Sequence, residues 1–337
     1  MISILKLLAL TILVGSNSAY WGHTYLAEGN NKVYALRSLP KSSSLCVFES
    51  DALKGREGVI ELLTLQLPMR ETVANGENSC HITLLPRQAV VCDYSSGSLS
   101  LFPLDENGTV EGEPTMLYFK GSSIHPTRQK SSHVHSSALS PDGKMLAVVD
   151  LGTDRISCFD VENGRLVSNE AKKVIVTPAG CGPRFSVFSK DGKYLYVVTE
   201  LSDEVLVYRT SNCKMVGRYT LGGENPEGGA HIVLSGDGRY LYASLRVSSA
   251  AKAKQCSISD GVAIYECLPN GKLKRLHYQP TGGHPRHFAL SGDGKAMVVA
   301  CRDDNAIEIY QLDSKSGLPT GQVEKISVPS PVYVGFR

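Results

Sequence analysis

HVHSSALSPDGKMLAVVD (133–150), CGPRFSVFSKDGKYLYVVTE (181–200), GGAHIVLSGDGRYLYASLR (228–246) and HPRHFALSGDGKAMVVACR (284–302) are four copies of one unit. Each is an apolar strand, a turn built on Asp-Gly followed by Lys or Arg, and a second apolar strand. The turn aspartates Asp142, Asp191, Asp237 and Asp293 are 49, 46 and 56 residues apart. Asp-Gly suits a tight turn because glycine accepts positive φ and aspartate tolerates it. A third strand follows each hairpin: RISCFDV (155–161), EVLVYRT (204–210), GVAIYEC (261–267) and AIEIYQL (306–312). A period of about 40–50 residues with several strands per unit predicts an all-β fold, a β-propeller.

Weaker copies lie upstream. CHITLLPRQAVVCDYSSGSLSLFPL (80–104) has Pro86-Arg87 at its turn, and TYLAEGNNKVYALRS (24–38) has Asn30-Asn31. The final VPSPVYVGF (328–336) is a partial seventh copy. A lone last strand predicts ring closure, because an open ring leaves strand edges unpaired. The expected architecture is therefore a seven-bladed β-propeller whose N-terminal or closure blade is incomplete, in a single domain spanning residues 20–337.

Residues 1–19, MISILKLLALTILVGSNSA, hold one Lys, an apolar run from Leu7 to Val14 and small residues at Asn17-Ser18-Ala19. This reads as a secretory signal peptide, which favours export over the alternative of a cytoplasmic protein. The run is too short to span a bilayer. ILVGS (12–16) reads alternatively as a strand of the closure blade. Net charge is +2 with no run of Lys or Arg, so neither a nucleic-acid surface nor a membrane span is expected. Nine cysteines, an odd number and mostly in apolar runs, read as buried small hydrophobes and not as a disulfide framework or a zinc site. No metal or cofactor is expected.

The repeat also serves as a ruler. Seven residues before the turn aspartates stand His135, Arg184, Ala230 and Arg286; nine after stand Leu151, Glu200, Arg246 and Arg302, with Asp150 one place earlier. In antiparallel hairpins these positions share one end, so in a propeller they converge near the channel mouth. Clustered guanidinium groups repel one another unless an anion lies among them, and arginine binds phosphate and carboxylate bidentately. Glu200 and Asp150 are the compensating charges in this frame. His135 can exchange a proton near neutral pH.

The motifs Arg-Gln before His-x-His (128–135), Asp-Leu-Gly-x-Asp (150–154), Gly-Pro-Arg (182–184) and Pro-Arg-His-Phe (285–288) together resemble the seven-bladed propeller lactonase family, which includes propeller-type 6-phosphogluconolactonases and carboxymuconate lactonizing enzymes. The resemblance covers about residues 24–337 and is strongest from 127 to 312. It implies a catalytic set of His135, Arg184, Glu200 and Arg246, with His133, Arg286, His287, Asp150 and Arg128 as substrate-binding neighbours. It further implies hydrolysis of an anionic sugar lactone, foremost 6-phosphogluconolactone, by general-base activation of water. The alternatives are lactonizing cycloisomerisation and a non-catalytic ligand-binding propeller. Ser132 and Phe185 depart from the family pattern, which more often has Pro and His there.

Overall fold

The computed structural model describes residues 12–16, 23–39, 42–49, 60–62, 69–222, 227–247 and 257–336. They form seven antiparallel or mixed sheets and no helix. Blade 2 runs Ser79–Leu85, Gln88–Asp93, Ser98–Pro103, Thr115–Tyr118, from inside outward. Blade 3 begins with Val134–Leu139, blade 4 with Pro183–Phe188, blade 5 with Gly229–Leu234 and blade 6 with Pro285–Leu290. Blade 1 is His23–Gly29, Lys32–Leu39, Ser42–Glu49, Arg70–Ala74. The inner strands neighbour one another around the full circle.

Blade 7 closes the ring. Its inner strand, Pro331–Phe336, pairs antiparallel with Ile12–Ser16, so the two chain ends share one sheet. Val14 is buried there among Val298, Ile307, Ile309 and Val334. In the structure ILVGS is a strand of the closing blade. A third strand, Ile60–Leu62, pairs parallel with Ile12–Ser16. It comes from the segment between the third and fourth strands of blade 1. Among the described residues the closing blade has three strands, and an excursion from its neighbour supplies the outermost. Residues 1–11 and 17–19, the rest of the candidate signal peptide, lie outside the described residues.

The cores lie between blades. Tyr196, Val205, Leu241, Ala263 and Tyr265 fill one interface, and Leu45, Ala89, Val91 and Phe102 another. Alternation explains this: each strand turns one side chain to each neighbouring blade.

The Asp-Gly turns form by a different division of labour from the one expected. Gly143, Gly192, Gly238 and Gly294 have φ of +69, +69, +77 and +71°, whereas the four aspartates keep negative φ. The aspartate acts through its carboxylate. Ser140 Oγ donates to Asp142 Oδ1 at 2.6 Å and the Lys144 amide donates to the same atom at 3.2 Å. The other three turns repeat both bonds. The Asx-type bond satisfies amides that the turn leaves unpaired.

The eight described cysteines are free thiols. No helix among the described residues is long and apolar enough to cross a membrane.

Candidate active site

Every inner strand carries an irregularity at the same height. In blade 2 Ser79 pairs with Asp93 and His81 with Cys92, so Cys80 has no partner across the ladder. The equivalent extra residue is His135 in blade 3, Arg184 in blade 4 and Arg286 in blade 6. In blade 5 Ala230 and His231 together face Ser244; blades 7 and 1 skip Val332 and Thr24. A β-bulge frees a residue from the pleat and re-aims its side chain. Here a ring of bulges aims Cys80, His135, Arg184, Arg286 and Val332 into one axial cavity of about 70 Å³.

The residues one place further along form its floor. Tyr25, His81, Phe185, His231, His287 and Tyr333 touch in sequence around the axis, with ring centroids from 3.9 to 5.1 Å apart. This layer of aromatic and imidazole rings plugs the channel below the cavity. The floor histidines are neutral. Burial pushes His81 down to about 3, helped by Arg184, and His287 down to about 3, helped by His81 and Arg184.

Glu200, at the end of the second strand of blade 4, is the hub of the cationic side. Arg184 Nε donates to its Oε2 at 2.6 Å and Arg246 Nη2 to the same atom at 3.0 Å. Arg128 donates to Oε1. Burial opposes the charge on Glu200, yet Arg246, Arg184 and Arg128 hold its carboxyl well below the usual range. Arg184 also donates to Ala230 O at 2.5 Å, and Arg246 Nε to Gly228 O at 3.1 Å. Burial and Arg246 push the Arg184 guanidinium down to about 9, so it stays protonated at neutral pH.

His135 is 5 % exposed, with Tyr94 and Phe185 in ring contact and Cys80 Sγ 3.9 Å from Nδ1. Burial first, then Arg184, holds its pKa well below 6.5, so the imidazole is neutral at pH 7. Among the described residues no hydrogen bond joins it to Glu200.

The family follows from comparison with known proteins. The sequence model described as lactonase, 7-bladed beta-propeller, matches residues 22–336. The chain belongs to the seven-bladed β-propeller lactonase family. It is 33% identical over 262 residues to a 6-phosphogluconolactonase of Formosa agariphila, covering 74% of this chain and 70% of that one. A crystal structure from Bacteroides fragilis, described as a candidate 6-phosphogluconolactonase, superposes with a TM-score of 0.83 at 30% identity, over 97% of this chain and 98% of that one. The periplasmic gluconolactonase of Pseudomonas aeruginosa shares the fold, with a TM-score of 0.76 at 22% identity over 97% and 88% of the two chains.

In this lactonase-family chain the nine residues singled out from sequence fall into three groups. His135, Arg184, Arg286 and His287 line the cavity. Glu200, Arg246 and Arg128 form the ion-pair cluster beside it. His133 and Asp150 are not among the residues that line the cavity. His133 Nδ1 donates to Tyr94 O at 2.9 Å and its ring stacks on Tyr94. Asp150, read from the sequence as a compensating charge, is engaged by neighbouring loop donors. Its oxygens accept from Ser132 Oγ, the His133 and Gly152 amides and Thr153 Oγ1, at 2.7 to 2.9 Å. The carboxylate is consumed by its own loop.

Three contributors escaped the repeat ruler. Tyr94, whose hydroxyl accepts from Arg128 Nη2 at 3.2 Å, follows the second strand of blade 2, where the Asp-Gly mark is missing. Asp154 accepts the Gly180 and Gly182 amides at 2.6 and 2.8 Å and so fixes the loop entering Arg184. Asp203 does the same one blade on, binding the Glu227, Gly228 and Gly229 amides at 2.7 to 2.8 Å. That bond holds the Gly228 carbonyl on which Arg246 rests. Asp154 closes the Asp-Leu-Gly-x-Asp motif, which is the signal that marked it.

Proposed function

We propose that this chain hydrolyses an anionic sugar lactone, and that 6-phosphogluconolactone, the substrate named for the Formosa agariphila relative, is the first to test. The observation carrying this reading is the cavity itself. A neutral imidazole and two arginines project into it from the bulges of blades 3, 4 and 6, and the nearby carboxylate is already shared by three guanidinium groups. The cationic excess suits a negatively charged substrate.

In the proposed reaction His135 takes a proton from water as its oxygen attacks the lactone carbonyl. Arg184, through Nη2, faces the oxygen on which negative charge develops. The acyl C–O bond to the ring oxygen then breaks. His135 returns the proton to the departing alkoxide, giving a hydroxy acid. The low basicity of His135 keeps it in the accepting form well below neutral pH. Glu200 serves as a positioning residue, since three cations hold it ionised and turned away from water.

The test is acid release from 6-phosphogluconolactone in a pH-stat, set against the spontaneous rate. Wild type should exceed background, and His135→Ala should lose about 10²–10⁴-fold in kcat. A wild-type rate equal to background would overturn the reading. The same preparation, offered carboxymuconate-type lactones, would then separate a cycloisomerase from a non-catalytic binder.

A further inference from the structure

The arginines near the cavity differ in what they already hold. Arg128, Arg184 and Arg246 each bond Glu200, and Arg302 Nε bonds Asp303 Oδ1 at 2.8 Å. Arg286, the bulge residue of blade 6, lines the cavity and has no acceptor among the described residues. Burial and Arg246 push its guanidinium down to about 10, the mark of a cation crowded by other cations.

Two residues before it, His284 takes the left-handed conformation, with φ +58°. Its Nδ1 is 3.3 Å from Arg302 Nη2 and 3.8 Å from Asp303 Oδ2. Burial, with Arg246, Arg302 and Arg286, pushes the ring down to about 2, so it is neutral. A guanidinium can only donate, so Nδ1 accepts and the single ring proton resides on Nε2. His284 Nε2 is buried without a partner. An orphaned buried N–H of this kind costs about 1–3 kcal/mol unless something accepts from it. Arg286 and His284 Nε2 therefore carry donors that no acceptor among the described residues meets.

We propose that Arg286, His284 Nε2–H and Arg302 form a phosphate-binding subsite on the blade 6 side of the cavity, selecting phosphorylated over unphosphorylated lactones. The lactone half of this statement rests on the proposed hydrolase reading; the anion half does not. A tetrahedral dianion can accept from more donors at once than a flat carboxylate, and so is the occupant proposed.

The experiment has two arms. In the first, kcat/KM is measured for 6-phosphogluconolactone and for unphosphorylated glucono-δ-lactone. In Arg286→Met the ratio of the two should fall about 10- to 100-fold, the loss expected for a charge-assisted bond to phosphate. Arg286→Lys should restore part of it. An unchanged ratio in a folded Arg286→Met variant overturns the subsite. In the second arm, inorganic phosphate should raise the melting temperature of wild type above that in chloride at equal ionic strength, and Arg286→Met and His284→Ala should abolish the rise. A phosphate effect without lactone turnover keeps the subsite and sinks the hydrolase reading. No phosphate effect in wild type overturns the subsite.

Discussion

Arg184 Nε donates to Glu200 Oε2 at 2.6 Å across the first hairpin of blade 4, and neither side chain is more than 9% exposed. The same oxygen takes Arg246 from blade 5, and the other takes Arg128 from the loop before blade 3. One carboxylate therefore ties three consecutive blades together beside the cavity. Removing its charge while keeping its shape leaves buried guanidinium groups uncompensated. Glu200→Gln should lower stability by about 3–5 kcal/mol, as for other broken buried pairs. Urea denaturation checks this. The double variant Glu200→Gln/Arg184→Met should lose less than the sum of the singles, by about 1–3 kcal/mol. Additive losses would show that the two residues act independently.

Gly228 is where the backbone makes room for this cluster. A Cβ built there would lie 1.5 Å from Arg246 O. Gly228→Ala must therefore displace the strand end carrying Arg246, and with it one anchor of Glu200. The expected result is a loss of roughly 2 kcal/mol or more, with a drop in kcat/KM measured on the fraction that remains folded. A variant as stable and active as wild type would contradict the close approach.

Acid should unfold the propeller early. A histidine whose folded pKa lies below its unfolded value of 6.5 binds fewer protons when folded. Its stabilisation is complete above that value and is lost as pH falls toward the folded value. His81 and His287 go down to about 3, and burial also holds His231 and His135 well below 6.5. Each contributes a slope of roughly 1.4 kcal/mol per pH unit between these limits. The melting temperature should therefore fall steeply from pH 6.5 to 5, before ordinary carboxylates titrate. His231→Phe, which keeps a ring in the floor, should make that limb shallower by one histidine's slope. An identical acid limb in the variant would remove the floor histidines as the cause.

The closing strand offers a direct check on the N-terminus. Val14 is 2% exposed inside blade 7. Placing a charge there by Val14→Asp should cost roughly 3 kcal/mol or more if these residues stay in the folded protein. Sequencing the N-terminus of the protein isolated from its host gives the complementary reading. A start near Tyr20 would mean that Pro331–Phe336 closes the ring without its Ile12–Ser16 partner, and Val14→Asp would then leave the stability of the isolated protein unchanged.

The repeated strand, Asp-Gly turn and strand unit determined the blades on its own, because period-two alternation and a glycine in the left-handed region are local requirements written residue by residue. The same local period carried the ruler that selected His135, Arg184, Glu200 and Arg246. Tertiary structure decided what those residues touch. The bulge that turns His135, Arg184 and Arg286 inward arises from a register between two strands, and no single strand carries it. That Asp150 serves a loop while Glu200 serves three arginines depends on which donors other blades bring near each carboxylate. Closure was the least legible feature. Ile12–Ser16 and Ile60–Leu62 become blade 7 only by pairing with or beside the far end of the chain. Side-chain alternation records which face a residue takes, but not which distant strand will meet it.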